Sequence, residues 1–287
     1  MERPTNPDQA GAPVGPAATA PLVASLGMYD FPWLAEANDA LWAGIAARLR
    51  AGGVAAPARL SRGAEPAALW RDPGLLFGQT CGYPYVTALR GAVALIATPV
   101  YAFDGCEGAE HCSFVVARLG DSRRGLADFA GARAALNAGD SNSGMNLFRA
   151  TIAPLARGAP FFAAVIETGS HRASLEAVGA GAADLAAIDC VSFALIAAGR
   201  PELVAGIGIV ARTPRAPALP FVISAALAGD RLDAVRGALF ATLEDPALAP
   251  ARARLGLVGA RVLGEADYQR IAEIERAAVA AGYPALA

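Results

Sequence analysis

Two short polar turns carry the side chains best suited to binding a small anion. The first, Asp140–Gly144, reads Asp-Ser-Asn-Ser-Gly and lies between a predicted strand and a predicted helix. The second, Thr168–His171, has the same position in the next strand–helix unit and contains one of the two histidines of the chain. Hydroxyl groups and the unpaired N–H groups of a helix N-terminus bind anions. Serine and asparagine are also ordinary helix caps, so each turn alone fits capping as well as binding.

A third polar turn and two single residues follow other predicted strands. Thr80 and Tyr83 lie in the turn formed by residues 79–85, and Tyr29 comes directly after the first predicted strand. Asp189 ends an apolar strand, so it is predicted to be partly buried and to need a polar partner. It could hold a ligand amine, accept a hydrogen bond from a protonated oxyacid, or cap the next helix. Because open α/β sheets bind ligands beyond the carboxyl ends of their strands, these residues together predict one site.

The sequence offers little for catalysis. Lysine is absent from the chain, which excludes a P-loop lysine and Schiff-base chemistry. The two histidines cannot form an H-E-x-x-H metal site, and no cofactor or metal is predicted. A thiolate–imidazole pair of Cys81 or Cys190 with His171 is the enzyme alternative, a cysteine-dependent hydrolase.

The four cysteines, at positions 81, 106, 112 and 190, do not have the spacing of a metal site. They are predicted to be buried and reduced. A disulfide such as Cys81–Cys106 is an open alternative, because both residues lie near strand ends and a sequence does not fix disulfide connectivity.

Composition excludes several classes of protein. The 287 residues have a net charge of −2, and only 17% of them are charged, against roughly 25% in ordinary globular domains. A nearly neutral chain lacks the electrostatic footprint of a nucleic-acid-binding protein. Hydrophobic residues make up 55% of the chain, which excludes general disorder. The apolar segments 73–89 and 91–103 are interrupted by polar residues or proline, so neither is predicted to enter a membrane.

Residues 1–20 are rich in proline and alanine and are predicted to form a disordered leader. They lack the apolar core of a signal peptide. This predicts a cytoplasmic protein for the sequence as written, and a periplasmic one if the start site lies elsewhere. A monomer or weak dimer is expected.

From residue 21 onward, apolar segments alternate with amphipathic ones, which indicates an α/β fold. The predicted strands are 22–28, 75–80, 93–100, 114–117, 132–137, 161–167, 185–190, 207–212 and 220–224. The predicted helices are 35–50, 143–156, 170–180, one ending at 199, 230–243, 249–255 and 265–281. Continuous apolar strands between helices predict parallel sheets that are covered on both faces.

The middle of the chain reads as a β-α-β-α-β unit bracketed by two extended crossings, Ser113–Arg118 and Ile209–Pro214. The chain is therefore predicted to form two lobes with a cleft between them and the two crossings as a hinge. The second lobe is residues 115–212. The first lobe is discontinuous, with residues 21–114 and 213–287, so the last helices must return to cover it.

Six segments in this order resemble the phosphate/phosphite/phosphonate-binding proteins of ABC importers, which have a type II periplasmic-binding-protein fold. They are MYD (28–30), NDALWAGIAARLR (38–50), QTCGYP (79–84), DSNSG (140–144), TGSHRASLEAV (168–178) and AAIDCV (186–191). The resemblance implies a solute-binding protein whose two lobes close over a small oxyanion, with an ABC permease as a further partner. A cytoplasmic ligand sensor of the same fold is the main alternative.

The resemblance also implies roles for individual residues. Ser141, Asn142 and Ser143 match a Ser-Thr-Ser-like turn that holds phosphonate oxygens, although Asn142 replaces a hydroxyl residue. His171, preceded by Ser170, matches a histidine at a helix N-terminus that contacts the oxyanion. Tyr29 and Tyr83 fall near aromatic positions of the other lobe, and Asp189 falls near an acidic position that can hold a ligand amine.

Overall fold

The computed structural model describes residues 21–287. The predicted leader, residues 1–20, lies outside the described residues. The strands are β1 (Val23–Ala24), β2 (Leu75–Gln79), β3 (Val93–Tyr101), β4 (Cys106–Glu107), β5 (Glu110–His111), β6 (Ser113–Arg118), β7 (Arg133–Leu136), β8 (Ala164–Glu167), β9 (Leu185–Asp189), β10 (Ile207–Arg212), β11 (Ala216–Pro217), β12 (Phe221–Ser224) and β13 (Leu257–Arg261). The helices are α1 (Ala35–Ala51), α2 (Pro66–Trp70), α3 (Gly82–Thr87), α4 (Leu147–Ala156), α5 (His171–Gly179), α6 (Cys190–Gly199), α7 (Ala225–Glu244), α8 (Ala249–Leu255) and α9 (Glu265–Ala280).

The first sheet has the strand order β1-β2-β12-β3-β13. Strand β1 runs parallel to β2, whereas β12 runs antiparallel to both of its neighbours and β13 antiparallel to β3. Helix α1 covers this sheet because its apolar residues recur at helical spacing, and Leu41, Ile45 and Leu49 are all buried. Helix α7 packs against both α1 and β3, so these helices and the sheet enclose one core.

The second sheet has the order β10-β6-β9-β7-β8. Strands β8, β7 and β9 are mutually parallel and are connected through α4 and α5, which is the predicted β-α-β-α-β unit. The crossing strands β6 and β10 are hydrogen-bonded to each other in antiparallel register. This two-lobe α/β architecture, with its paired crossing strands, has the predicted fold class, whereas the exact lobe boundaries at 114/115 and 212/213 stay a prediction.

These two sheets are mixed, and a third, three-stranded sheet with the order β11-β5-β4 is antiparallel, so the prediction of parallel sheets was wrong. Strand β12 lies between β2 and β3 and runs antiparallel to both of them. The crossing strand β6 runs antiparallel to β9, and β10 runs antiparallel to β6, so β6 breaks the parallel order of the second sheet. A continuous apolar segment indicates that a strand is buried, but it does not indicate whether the neighbouring strand is parallel or antiparallel. Strand β13 and the short helices α2 and α3 were also missed; β13 has an internal glycine, which weakens a strand pattern.

Two predicted strands are shorter than expected. The first is limited to Val23–Ala24, because a turn follows in which the Tyr29 N–H donates to the Leu26 carbonyl. The predicted strand 161–167 pairs only from Ala164 onward, since the N–H groups of Phe161 and Phe162 donate to the C-terminal residue instead. Strand β8 lies at the edge of its sheet and is largely exposed, which corrects the expectation of a buried strand.

The C-terminal helix α9 contacts both halves of the molecule. It packs against α3, which follows a strand of the first sheet, and against α4, which belongs to the second. Arg149 of α4 is buried, donates to the Pro284 carbonyl at 2.7 Å and lies 3.3 Å from the Glu275 carboxylate. The last helix therefore covers more than the first lobe. Within residues 21–287, no helix combines the length and apolar character needed to cross a membrane.

Candidate functional site

The carboxyl ends of β7, β8 and β9 meet at one edge of the second sheet, and both predicted polar turns lie there. After β7 the chain passes through a π-helical turn, Asn142–Asn146, before α4 begins. Ser141 caps this turn, because its Oγ accepts the Gly144 N–H at 3.0 Å. π-Helical turns are uncommon and are frequent at functional sites. The turn holds Ser143 over the start of α5.

Ser143 and His171 are in direct contact. The Ser143 Oγ lies 2.8 Å from the His171 Nε2, and the Ser143 carbonyl accepts a hydrogen bond from Ser113 of the crossing strand β6. A neutral imidazole and a hydroxyl have one polar hydrogen each, and their mutual bond uses one of them. In either tautomer, the pair therefore keeps one hydrogen that can be donated to a ligand.

His171 is neutral at physiological pH. Burial lowers its pKa to about 4, and the charge of Asp189 opposes this effect only in part. Its Nδ1 atom is buried and has no hydrogen-bond partner within residues 21–287. A neutral imidazole with one nitrogen that makes no hydrogen bond is suited to bind a polar group of a ligand.

We expect this histidine to make the stability of the protein depend on pH. Its folded-state pKa of about 4 is below the usual value near 6.5, so between these values the unfolded chain binds a proton that the folded chain does not. The free energy of unfolding should therefore decrease as pH falls through this window, by about 2 kcal/mol from this residue. Urea denaturation at about pH 7 and about pH 4.5 measures the effect. The decrease should be smaller in His171→Asn by that amount, and an equal decrease in both proteins would contradict the assignment.

Asp189 is paired with the other histidine. Its Oδ1 accepts a hydrogen bond from His111 Nδ1 at 2.8 Å, and its Oδ2 accepts the Ser192 N–H at 2.9 Å, which caps α6. Both side chains of the pair are essentially inaccessible to solvent. Burial by itself raises the pKa of Asp189, but the hydrogen bond and charge of His111 outweigh it and hold this pKa below its usual range. Asp189 is therefore an ionised carboxylate at the site.

A cavity of about 320 Å³ lies between the two sheets, in front of these residues. Ser141, Ser143, His171 and Asp189 line it from the second lobe. Tyr29 lines it from the first, together with apolar and thiol groups of Met28, Trp70, Cys81 and Leu219.

Three polar atoms of the cavity lining are buried and have no hydrogen-bond partner among the described residues. They are the Tyr29 hydroxyl, the Asn137 Oδ1 and the His171 Nδ1. Burial, followed by the charge of the nearby Asp189, raises the pKa of Tyr29, so its hydroxyl keeps its hydrogen. The hydroxyl is therefore a donor, for which the Asp189 carboxylate and a ligand are the candidate acceptors. Because buried polar groups are nearly always paired in folded proteins, this cluster indicates a ligand site.

Gly144 is required for the shape of the polar turn. A Cβ atom at this position would lie 1.8 Å from the Asn137 Oδ1 and 3.2 Å from the His171 ring. Any side chain would therefore displace two residues of the cavity lining. Glycine is needed at this position because the backbone lies so close to these side chains. Its backbone conformation does not require glycine, since its φ angle is not positive.

Four predicted site residues lie outside the cavity lining. Thr80 is fully buried and its hydroxyl donates to the neighbouring Cys81 carbonyl. The Tyr83 hydroxyl donates to Glu275 of α9. Asn142 is buried, and its N–H donates to the Cys81 sulfur at 3.3 Å. Ser170 is exposed and caps α5 through the Ala173 N–H.

Sequence reasoning missed several residues of the site. His111 was not among the predicted site residues, but it is fully buried against Asp189, which is 78 residues away along the chain. Asn137, Trp70 of α2 and Glu65, which caps the start of α2, also line the cavity. Asn137 directly follows β7, so its place at a strand exit was a usable signal. Nothing in the local sequence of His111 indicates its partner.

The cysteines do not form the pair that the enzyme alternative requires. Cys81 accepts a hydrogen bond from Asn142, and burial raises the pKa of its thiol, which disfavours the nucleophilic thiolate. The His171 Nε2 contacts Ser143. All four cysteines are reduced in the structure, and Cys106 lies against Cys190 rather than in the suggested pairing with Cys81.

Comparisons with known proteins agree with this architecture. No curated protein sequence matches the chain. Among solved structures, a binding protein component of an ABC phosphonate transporter from Pseudomonas aeruginosa has a TM-score of 0.72 at 14% identity, covering 91% of this chain and 89% of its own. PhnD1 from Prochlorococcus marinus, solved in complex with methylphosphonate, has a TM-score of 0.70 at 15% identity, with coverages of 89% and 97%. XAC2383 from Xanthomonas citri, bound to ATP, has a TM-score of 0.69 at 17% identity, with coverages of 91% and 97%.

At these identities the structural matches establish the fold alone. The family is established by a sequence model described as "ABC transporter, phosphonate, periplasmic substrate-binding protein", which matches residues 76–268. The matched region is more than half of the 287 residues and contains both polar turns and Asp189. The chain belongs to the periplasmic substrate-binding proteins of phosphonate ABC transporters.

Proposed function

We propose that the cavity between the two sheets binds a small phosphonate-like oxyanion and that Ser143, His171 and Tyr29 donate hydrogen bonds to it. The observation that carries this proposal is the group of unpartnered buried polar atoms around the cavity. Tyr29 belongs to the first lobe and the Ser143–His171 pair to the second, so a ligand bound by all three residues would hold the lobes together. A hinge motion about β6 and β10 would then accompany binding.

The charges around the cavity favour a ligand with a polar hydrogen that it can donate. Within residues 21–287, the lining contains no arginine, and its charged members are the carboxylates of Glu65, Asp140 and Asp189. Neutral hydroxyl groups and the starts of α5 and the π-helical turn supply the donors. An ionised Asp189 would repel a fully deprotonated anion, whereas it could accept a hydrogen bond from a P–OH group or a ligand ammonium group. A phosphonate monoanion and an aminoalkylphosphonate meet this requirement.

Binding without turnover fits the Ser143–His171 contact better than catalysis does. A nucleophilic serine needs a base of suitable pKa whose second nitrogen is held by a third group. The pKa of His171 is about 4, and its Nδ1 has no partner among the described residues. We therefore propose that this protein captures its ligand in the periplasm and delivers it unchanged to an ABC permease.

Calorimetric titration tests this function. We expect saturable binding of methylphosphonate or 2-aminoethylphosphonate, with a Kd of about 1 µM or lower. Phosphate and phosphite, which also carry an ionisable hydrogen, are titrated in the same way as the other two phosphorus compounds. Sulfate is the matched control because it is a tetrahedral anion without a hydrogen at neutral pH, and it should bind at least about tenfold more weakly than the best ligand. Failure of all four phosphorus compounds to bind would contradict the proposed function.

A further inference from the structure

Three of the four cysteines, Cys106, Cys112 and Cys190, lie close together where the β4–β5 hairpin contacts the start of α6. The Sγ atoms of Cys106 and Cys190 are 3.5 Å apart, although 84 residues separate them in the chain. Cys112 is adjacent, because its carbonyl accepts the Cys190 N–H at 3.1 Å. We infer that Cys106 and Cys190 are a redox-active pair that forms a disulfide bond in an oxidising thiol–disulfide environment.

The thiol of Cys112 also contacts Cys190, which raises the pKa of Cys112. Accessibility favours Cys106 as the partner of Cys190, because the other three cysteines are buried. Cys106 on the hairpin is partly exposed, whereas Cys190 is fully buried, so an external reagent meets Cys106 first. The two sulfur atoms are already in contact and must approach by about 1.5 Å to reach bonding distance. Cys81 is engaged elsewhere, with its sulfur accepting the Asn142 N–H.

A metal ion fits the cluster less well than a disulfide does. His111, Asp189 and Cys190 place potential ligand atoms within 4.8 Å of one another. However, the His111 Nδ1 and the Asp189 Oδ1 are bonded to each other, which leaves the His111 Nε2 and the Cys190 sulfur as the free ligand atoms, fewer than the three or four protein ligands of a zinc site. The space is also tight, since a Cβ atom on Gly105 would lie only 2.8 Å from the Cys190 Cβ and 3.0 Å from the sulfur atoms of Cys112 and Cys190.

The bond would join two parts of the molecule that flank the hinge and the ligand site. Cys106 lies on the hairpin that leads into the crossing strand β6, and Cys190 is the first residue of α6. Cys190 directly follows Asp189 in the chain, and Cys106 is the register partner of His111. The cross-link would therefore restrain both segments that carry the buried His111–Asp189 pair, and it would do so whether or not a ligand is bound.

Thiol–disulfide exchange with a small disulfide such as oxidised glutathione supplies the oxidising equivalents. The Cys106 thiolate attacks the reagent, whose S–S bond breaks, and one reagent thiol leaves with a proton. The Cys190 thiol then loses its proton and attacks the Cys106 sulfur, which releases the second reagent thiol. Two electrons pass from the protein thiols to the reagent disulfide. The contact with Cys106, together with burial, raises the pKa of Cys190, so the second step should become faster with increasing pH.

The test is incubation of the full chain with oxidised glutathione, followed by alkylation and peptide mass mapping. We expect the titratable thiols of the unfolded protein to fall from four to two, with a peptide that links Cys106 to Cys190. The melting temperature should be higher in the oxidised protein than after reduction. The control Cys81→Ser should still form the bond, and Cys112→Ser should form it and retain one thiol.

Several outcomes would overturn the inference. They are four thiols that persist under oxidation, a bond from Cys190 to Cys112 in place of Cys106, and stoichiometric zinc binding that protects the thiols. Ligand binding by the cavity is tested separately, by the calorimetric series on the reduced protein.

Discussion

Substitution of Ser143 by alanine is expected to weaken methylphosphonate binding by about 10- to 100-fold, since a hydrogen bond to a charged group contributes about 1.5–3 kcal/mol. The loss has two causes. The ligand loses a donor, and the His171 Nε2 loses the partner that lies 2.8 Å away. Calorimetric titration of the variant measures the change in Kd. The variant should still fold, because the backbone of the turn is capped by Ser141 and the Ser143 carbonyl keeps its bond from Ser113.

Ser174→Ala is the matched control for this variant. Ser174 is also a fully buried serine, and its Oγ is bonded to another side chain, Thr168, at 2.7 Å, but it is not part of the cavity lining. It should lose a similar amount of stability and bind methylphosphonate with an unchanged Kd. Binding by Ser143→Ala within about twofold of the unmodified protein would contradict a role for the Ser143–His171 pair in the site.

Substitution of Asp189 by alanine is expected to have the largest effect on stability. It removes the acceptor of the His111 Nδ1–H in a place without solvent access and also removes the cap of α6. Breaking a buried pair by deleting one partner costs about 3–5 kcal/mol. Asp189→Asn keeps an oxygen for one of these bonds, so its loss should be smaller, at about 1–2 kcal/mol. Urea denaturation of the three proteins measures the free energies of unfolding.

Ser170→Ala is the control that measures the stability lost when a helix cap alone is removed, without the loss of the His111–Asp189 pair. Ser170 caps the neighbouring helix α5 in the same way, through the Ala173 N–H, but it is exposed and has no histidine partner. This substitution should cost about 1 kcal/mol. If Asp189→Ala cost no more than this control, the His111–Asp189 pair would not contribute to stability.

The grouping of the polar residues at one edge of the second sheet could be predicted because it depends on local order along the chain. Ser143 and His171 follow strands of one β-α-β-α-β unit and Asp189 is the last residue of its third strand. The carboxyl ends of these parallel strands must lie at the same edge of the sheet. The motifs in which these residues occur are also those that resemble the family. Their strand exits alone were sufficient to bring the three residues together.

The remaining features depend on contacts between distant segments, which a local pattern does not encode. His111 meets Asp189 only because the β4–β5 hairpin folds against the start of α6. Tyr83 was placed in a turn, but it lies on α3, and the helical phase points its hydroxyl toward Glu275 of α9. The same limit applies to the sheets. The apolar residues of β12 predicted that this strand is buried. They did not predict that it lies between β2 and β3.

A crystal structure of the protein grown with methylphosphonate tests the central claim most directly. We predict that the ligand occupies the cavity between the two sheets, with phosphonate oxygens within about 3 Å of the Ser143 Oγ or the His171 ring and of the Tyr29 hydroxyl. The atoms of Tyr29 and His171 that now have no partner would then be paired. A ligand bound elsewhere, or a cavity that remains without ligand at saturating methylphosphonate, would contradict the account.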